Sequence, residues 1–385
     1  MVKHNGSVIG VQNLTTGISA IGNFGIREQH YKQLKNLWPG TSFTQFLMVG
    51  HASNPCVSSY PWTQGTGFGS KYTDPSPSIT TLGRAVASTR INGEAMFMGT
   101  TNGPPYLYSY QFSSAGFGTA YSAPVSAMPG PGNDVKINAA GTDVLVATNI
   151  SSWVVAYQWT YASGWGTKYT AMSSPGLSAA ATGVRFNAAG TAMAVGYQAS
   201  PYLRTYPFTS GSGYGTGYTS PTTLPAGNGA GVDFMYDDSA VIVAHTTTPF
   251  IAAYVWNNTT GFGTKYSNPG TLPAANGTYL NFHPAGTEIT FVSGTSPYVQ
   301  TWKWSPAGFG TIYSNPGTLP AGAPVQVTFG PVSTTGVDLA VAHVTTPFVT
   351  VYPFVSGTGY GSKYSDPGTL PTGNAGGVVI GNHSV

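Results

Sequence analysis

A Gly-aromatic-Gly step followed within a few residues by Tyr occurs seven times in this chain, beginning at Gly67, Gly116, Gly164, Gly213, Gly261, Gly308 and Gly359. The copies fall about 48 residues apart, the length of one four-stranded repeat. The best-preserved copies run Gly-Phe-Gly-Thr-Lys-Tyr-Ser-Asn-Pro-Gly-Thr-Leu-Pro from Gly261 and Gly-Phe-Gly-Thr-Ile-Tyr-Ser-Asn-Pro-Gly-Thr-Leu-Pro from Gly308. A repeat of this length cannot bury its apolar face alone, so it must stack on copies of itself.

Within each repeat four strands are legible. An alternating segment that runs into a Gly turn, such as Gly183 to Thr191, predicts a first strand ending in a hairpin. A nearly continuous apolar run follows, as in Ala192 to Tyr197 or Ala240 to His245, and predicts a strand buried on both faces. The third strand carries aromatics two apart: Tyr60 and Trp62, Tyr110 and Phe112, Tyr157 and Trp159, Tyr206 and Phe208, Tyr254 and Trp256, Trp302 and Trp304, Tyr352 and Phe354. Period two puts both rings of a pair on one face, which suits sheets packed face to face. Pro61, Pro207 and Pro353 inside that strand imply either that the backbone N–H is not needed there or that the ladder is locally broken. The Gly-aromatic-Gly step then opens the outermost strand.

The two ends of the chain decide between an open stack and a ring. Gly373 to Gly381 matches the start of a new repeat and then the chain stops, while the first repeat begins directly at a second strand, Gln45 to His51. A C-terminal strand completing the N-terminal blade closes the ring and removes frayed edges. The expectation is an all-β, seven-bladed β-propeller over residues 41–385, preceded by an arm, residues 1–40, with one short helix from Ile26 to Trp38 stopped by Pro39.

Composition narrows the function classes. Only 6% of residues are charged, against roughly 25% in ordinary soluble domains. The net charge of +3 includes no run of Lys and Arg, so nucleic acid is not expected as a partner. No stretch approaches the roughly 20 apolar residues of a membrane helix, and the N-terminus leads into no apolar segment of a signal peptide, which predicts synthesis in the cytoplasm. The lone Cys56 excludes an intramolecular disulfide framework and sits where other repeats carry Tyr, Phe or Trp, as a packed thiol would.

The candidate chemistry is sparse. Asp74, Asp143, Asp237, Asp238, Glu288 and Asp366 fall mostly at turn positions, with no pair placed as acid and nucleophile. His51, His245 and His343 end the second strands of blades 1, 5 and 7, with Tyr197 in register on blade 4 and Thr100, Thr148 and Gly294 on the others. These four ring side chains are the candidate ligand-binding residues. Strand-end hydrogen bonds, ligand contact and metal binding are all compatible with the histidines, and no metal or cofactor is assigned. Lys71, Lys168, Lys265 and Lys363 share one outer-strand position, where they either protect an exposed edge or form a basic rim for an anionic polysaccharide.

The repeats resemble WD-type propeller repeats in architecture without the Trp-Asp or Gly-His signatures. The Gly-Phe-Gly-Thr-Lys-Tyr-Ser-Asn-Pro-Gly-Thr-Leu-Pro units also resemble propeller repeats in structural proteins of tailed bacteriophages, and Asn23 to Gln29 through Trp38-Pro39-Gly40 is similar to a segment of phage virion proteins. That resemblance implies a non-enzymatic virion component: a tail fibre or adhesin binding a host-surface glycan, with a capsid decoration or head fibre, or a free propeller lectin, as alternatives. It further implies attachment to other virion proteins through Ile26, Tyr31, Leu34, Leu37 and Trp38 of the arm, assembly as a homo-oligomer, by analogy a trimer, and residence in the virion.

Overall fold

The computed structural model describes residues 43–384 apart from 90–94, 101–102, 173–174 and 334–335. The expected docking residues, Ile26 to Trp38, lie outside the described residues. Within the described residues the chain forms seven four-stranded antiparallel sheets arranged as the blades of a propeller. The inner strands are Gly83–Ser88, Gly132–Ile137, Ala181–Phe186, Gly229–Phe234, Gly277–Phe282 and Pro324–Phe329 for blades 2 to 7. Blade 1 takes its inner strand from the C-terminus: Ala375–Ser384 pairs antiparallel with Phe43–His51, with Leu47 opposite Ile380. The ring is closed by strand exchange, as the sequence predicts.

The contacts between blades explain why the repeat motif has its composition. Each motif Tyr inserts its ring against the next blade, where it meets the second aromatic of the third strand edge-on. Tyr72–Phe112, Tyr121–Trp159, Tyr169–Phe208, Tyr218–Trp256, Tyr266–Trp304, Tyr313–Phe354 and, across the closure, Tyr364–Trp62 have ring centroids 4.7 to 5.7 Å apart. Edge-to-face pairs of this kind contribute about 0.5–1.5 kcal/mol each beyond the area they bury. The first aromatic of each pair serves a different purpose. Its polar tip donates to a carbonyl of the preceding inter-blade loop, as Tyr206 Oη does to Pro175 O (2.6 Å), Trp302 Nε1 to Thr271 O (3.0 Å) and Tyr60 Oη to Thr369 O (2.7 Å). One ring stacks and the other ties down the connection, so both members of the pair are needed.

The first Gly of the motif makes room for the incoming Tyr. It has positive φ in every copy, from 81° at Gly164 to 101° at Gly67. A Cβ at Gly213 would lie 2.9 Å from Cδ1 of Tyr169, and one at Gly67 would lie 3.3 Å from Cδ1 of Tyr364.

The third-strand prolines cut the outer ladder short. In blades 1, 4 and 7, which hold Pro61, Pro207 and Pro353, the outer strands Gly67–Phe68, Gly213–Tyr214 and Gly359–Tyr360 have two residues each. In the blades with Gln111, Gln158, Val255 or Lys303 at that place the outer strand has five. The proline carbonyl still accepts, from Gly69 N at 2.8 Å for Pro61. The missing N–H points to the same side, so the ladder cannot extend past it.

Candidate functional site in the central channel

The inner strands line the channel, and their fifth residues face it. Reading from blade 1, these are Val379, Ala87, Lys136, Arg185, Asp233, Asn281 and Thr328. The wall is therefore polar over five consecutive blades and apolar over two. The cavity they enclose has a volume of about 660 Å³ and opens past the hairpins between first and second strands, where Asn138, Asn187, Tyr236, Asp238 and His283 form the rim. This is the face opposite the connections between second and third strands, because each second strand runs from one to the other.

Two carboxylates organise the polar arc. Asp233, 2% exposed, accepts at Oδ1 from Arg185 Nε (2.7 Å) and Phe234 N (2.9 Å), and at Oδ2 from Asn281 Nδ2 (2.6 Å) and Phe282 N (2.9 Å) of the next blade. Asp134, equally buried, accepts at Oδ1 from Lys136 Nζ (2.5 Å) and Val135 N (3.0 Å), and at Oδ2 from Val184 N (3.2 Å) and Tyr279 Oη (3.3 Å). Asn281 Oδ1 accepts from Phe329 N (2.9 Å), and Gln326 Oε1 accepts from Val378 N (2.7 Å). An inner strand has one unpaired edge, and its N–H groups must find acceptors. Here side chains of the preceding blade supply them. The same carboxylates hold two cations at the channel wall. Burial works against the charge on Arg185, but Asp233 and Asp134 outweigh it and keep the guanidinium above its ordinary pKa; Lys136 is held charged in the same way by Asp134. Arg185 is 30% exposed and uses only Nε, so among the described residues Nη1 and Nη2 make no hydrogen bond.

Sequence reasoning passed over this constellation because it surveyed acids at turns. Asp134 and Asp233 lie inside strands, and the available signal was a charged or amide residue at the fifth place of four successive inner strands. Two of the acids expected at turns are also placed differently. Asp143 and Glu288 begin second strands, fully buried, and accept the hydroxyls of Tyr169 and Tyr313, the latter at 2.9 Å. Lys71 and Lys363 pair with Asp74 and Asp366 in their own turns.

His51, Tyr197, His245 and His343 are all at the ends of second strands away from the cavity rim, and each is at most 1% exposed. The blade 6 residue in register with them is Ser293 rather than Gly294. The structure does not bring them together at one site. His51 Nε2 is 3.0 Å from Ser58 Oγ, His343 Nε2 is 2.9 Å from Thr350 Oγ1, and Tyr197 Oη accepts from Arg204 Nε at 3.2 Å. Among the described residues His245 has no side-chain hydrogen-bond partner, because Ala252 occupies the position of Ser58 and Thr350. Burial pushes all three imidazoles down to about 4. Ala252→Ser is therefore expected to stabilise the protein by about 1 kcal/mol by giving His245 a hydroxyl. A melting temperature that falls on this change would show that His245 is already satisfied.

No protein-family model and no curated protein sequence matches the chain. Among solved structures, the chain is similar to a "putative 6-phosphogluconolactonase" from Bacteroides fragilis at 10% identity, covering 88% of this chain and 98% of the other with a TM-score of 0.67. A "putative 6-phosphogluconolactonase" from Bacteroides uniformis gives 12% identity, coverage of 88% and 99% and a TM-score of 0.64. The periplasmic gluconolactonase of Pseudomonas aeruginosa gives 14%, 88%, 99% and 0.63. Likeness at this identity establishes the fold. It also corrects the expectation of a non-enzymatic phage virion protein, in its tail-fibre, head-decoration and free-lectin forms alike. These neighbours carry lactonase names, and none of the three is named as a virion component. The separate expectation of sparse chemistry is also corrected, because Lys136, Arg185, Asp233 and Asn281 line one channel. The chain is a seven-bladed propeller with the fold of structures named for lactonases.

Proposed function

We propose that the channel is the active site of a hydrolase that opens small polyhydroxylated lactone rings. The observation that carries this reading is Arg185: a permanently charged group, fixed through Nε by a buried carboxylate, that lines a cavity of ligand size and whose terminal nitrogens make no hydrogen bond among the described residues. In lactone hydrolysis water adds to the carbonyl carbon, the ring C–O bond breaks, and a hydroxy acid leaves. Negative charge develops on the carbonyl oxygen and remains on the product carboxylate. Arg185 is suited to stabilise that charge, since a preorganised donor in a low-dielectric site needs no rearrangement when the charge appears. Asp233 positions Arg185. Thr328 and the second amide N–H of Asn281 offer neutral polar groups for ring hydroxyls, whereas the amides of Asn138 and Asn187 are committed to hydrogen bonds within the rim hairpins; Ala87 and Val379 give the carbon skeleton an apolar wall. The lactonase names of the structural neighbours support the same reaction class.

The test is titration of acid released from glucono-δ-lactone and its 6-phosphate, with spontaneous opening subtracted. Arg185→Met is expected to lower kcat by about a hundredfold, Arg185→Lys by less, and Lys168→Met on the outer strand not at all. Release no faster than in buffer, or an Arg185→Met variant that folds and keeps full rate, overturns the proposal.

A further inference from the structure

Apart from the hairpins at its rim, the cavity faced by Arg185 is lined by the later residues of the inner strands, and the lining residues farthest from the rim are Tyr279 and Gln326, the third residues of their strands. Around the ring the third residues are Gly377, Ala85, Asp134, Gly183, Gly231, Tyr279 and Gln326. Tyr279 is the one large ring among them, and it crosses the channel. It starts on blade 6, and its hydroxyl reaches Asp134 Oδ2 on blade 3 at 3.3 Å. On the way it passes over Gly231 of blade 5, where a Cβ would lie 2.8 Å from Cδ2 of the ring. Gly183, in the same register on blade 4, instead lets blade 5 approach closely, since a Cβ there would lie 2.6 Å from Ala230 O. Lys136 Nζ sits 5.4 Å from the ring centroid, a cation–π contact. Tyr279 is 7% exposed. Its backbone end is fixed in the sheet and its hydroxyl end in the Asp134 network, so the ring is held at both ends.

We propose that Tyr279 is the specificity-determining floor of the pocket: it makes the channel blind at one end and limits the length of the molecule that can reach Arg185. This rests on the channel being the substrate site. A glycine that admits the ring and a bonded phenol form a crossbar that none of the other third residues could form. A monosaccharide acid or lactone stops at the ring, and a disaccharide would have to pass through it.

The test compares Tyr279→Ala, which removes the crossbar, with Tyr279→Phe, which keeps the ring and loses the bond to Asp134. In crystals of Tyr279→Ala the cavity is expected to run through to the far face, past Asn133 and Thr278. By calorimetry, wild type and Tyr279→Phe should bind gluconate at least about a hundredfold more tightly than cellobionate, and Tyr279→Ala should reduce that preference to about tenfold or less. If Tyr279→Ala does not fold, Tyr279→Val removes the crossbar while retaining apolar bulk near the backbone. A truncated variant whose channel stays closed, or an open one with the preference unchanged, overturns the proposal. If gluconate binds neither protein, the substrate-site reading falls and with it the specificity role; the crystal arm then decides separately whether Tyr279 is the floor.

Discussion

Replacing Gly213 with alanine is expected to destabilise the propeller by about 3–5 kcal/mol, whereas the same change two residues earlier, Gly211→Ala, costs about 1–2 kcal/mol. Both glycines have positive φ, 90° and 85°, so both alanines suffer similar backbone strain. They differ in what the new methyl meets. At Gly211 there is open space, while at Gly213 the Cβ would lie 2.9 Å from Cδ1 and 3.1 Å from Cβ of Tyr169. Tyr169 cannot give way, because its hydroxyl donates to the buried Asp143 and accepts from Gly211 N at 2.9 Å, and its ring is seated on Phe208. Thermal unfolding of the two variants side by side isolates the inter-blade clash. Equal losses would mean that the Tyr-on-Gly contact contributes nothing and that the motif is kept only for its turn.

The second large effect is on acid stability. His51, His245 and His343 titrate at about 4 in the folded protein because burial disfavours the imidazolium, against about 6.5 in an unfolded chain. Between those values the unfolded state binds more protons, so stability rises with pH there. The contribution is complete above pH 6.5, declines as pH falls, and is lost by about pH 4. Each histidine contributes up to roughly 3 kcal/mol to this slope. Melting temperatures measured from pH 7 to pH 4 should fall by several degrees, before the exposed carboxylates protonate. A variant with all three histidines replaced by Gln should be flatter over the same window. A wild-type profile flat from pH 6.5 to 4.5 would mean that the three rings stay reachable by protons and water in the fold.

The seven-fold architecture was legible because the physics that builds a blade acts seven times. Gly213, Tyr169 and Phe208 recur in register, and even the closure by Gly373 to Gly381 is a fragment of the repeat. What the sequence does not display is that a motif Tyr meets the next blade's Gly rather than its own, since that contact joins residues about 45 positions apart. The channel was illegible for the opposite reason. Lys136, Arg185, Asp233 and Asn281 occupy one structural position but differ in chemistry from blade to blade, so nothing repeats. A search guided by periodicity sees the scaffold and averages out the site. Burial of acids inside strands also runs against the usual pattern, which is why Asp134 and Asp233 were passed over for exposed turn residues such as Asp74.

The Tyr-on-Gly lock has a direction. Every blade gives a ring to the following blade and receives one from the preceding blade, and the seventh hands its ring, Tyr364, to Gly67 and Trp62 of the first. Blade 1 is thus set apart by the break in the covalent chain and not by its handling of the lock. A circular permutant cut in the loop between blades 4 and 5, with residue 384 joined to residue 43, would retain all seven handovers. Deleting one blade would instead ask a ring shaped for seven wedges to close with six.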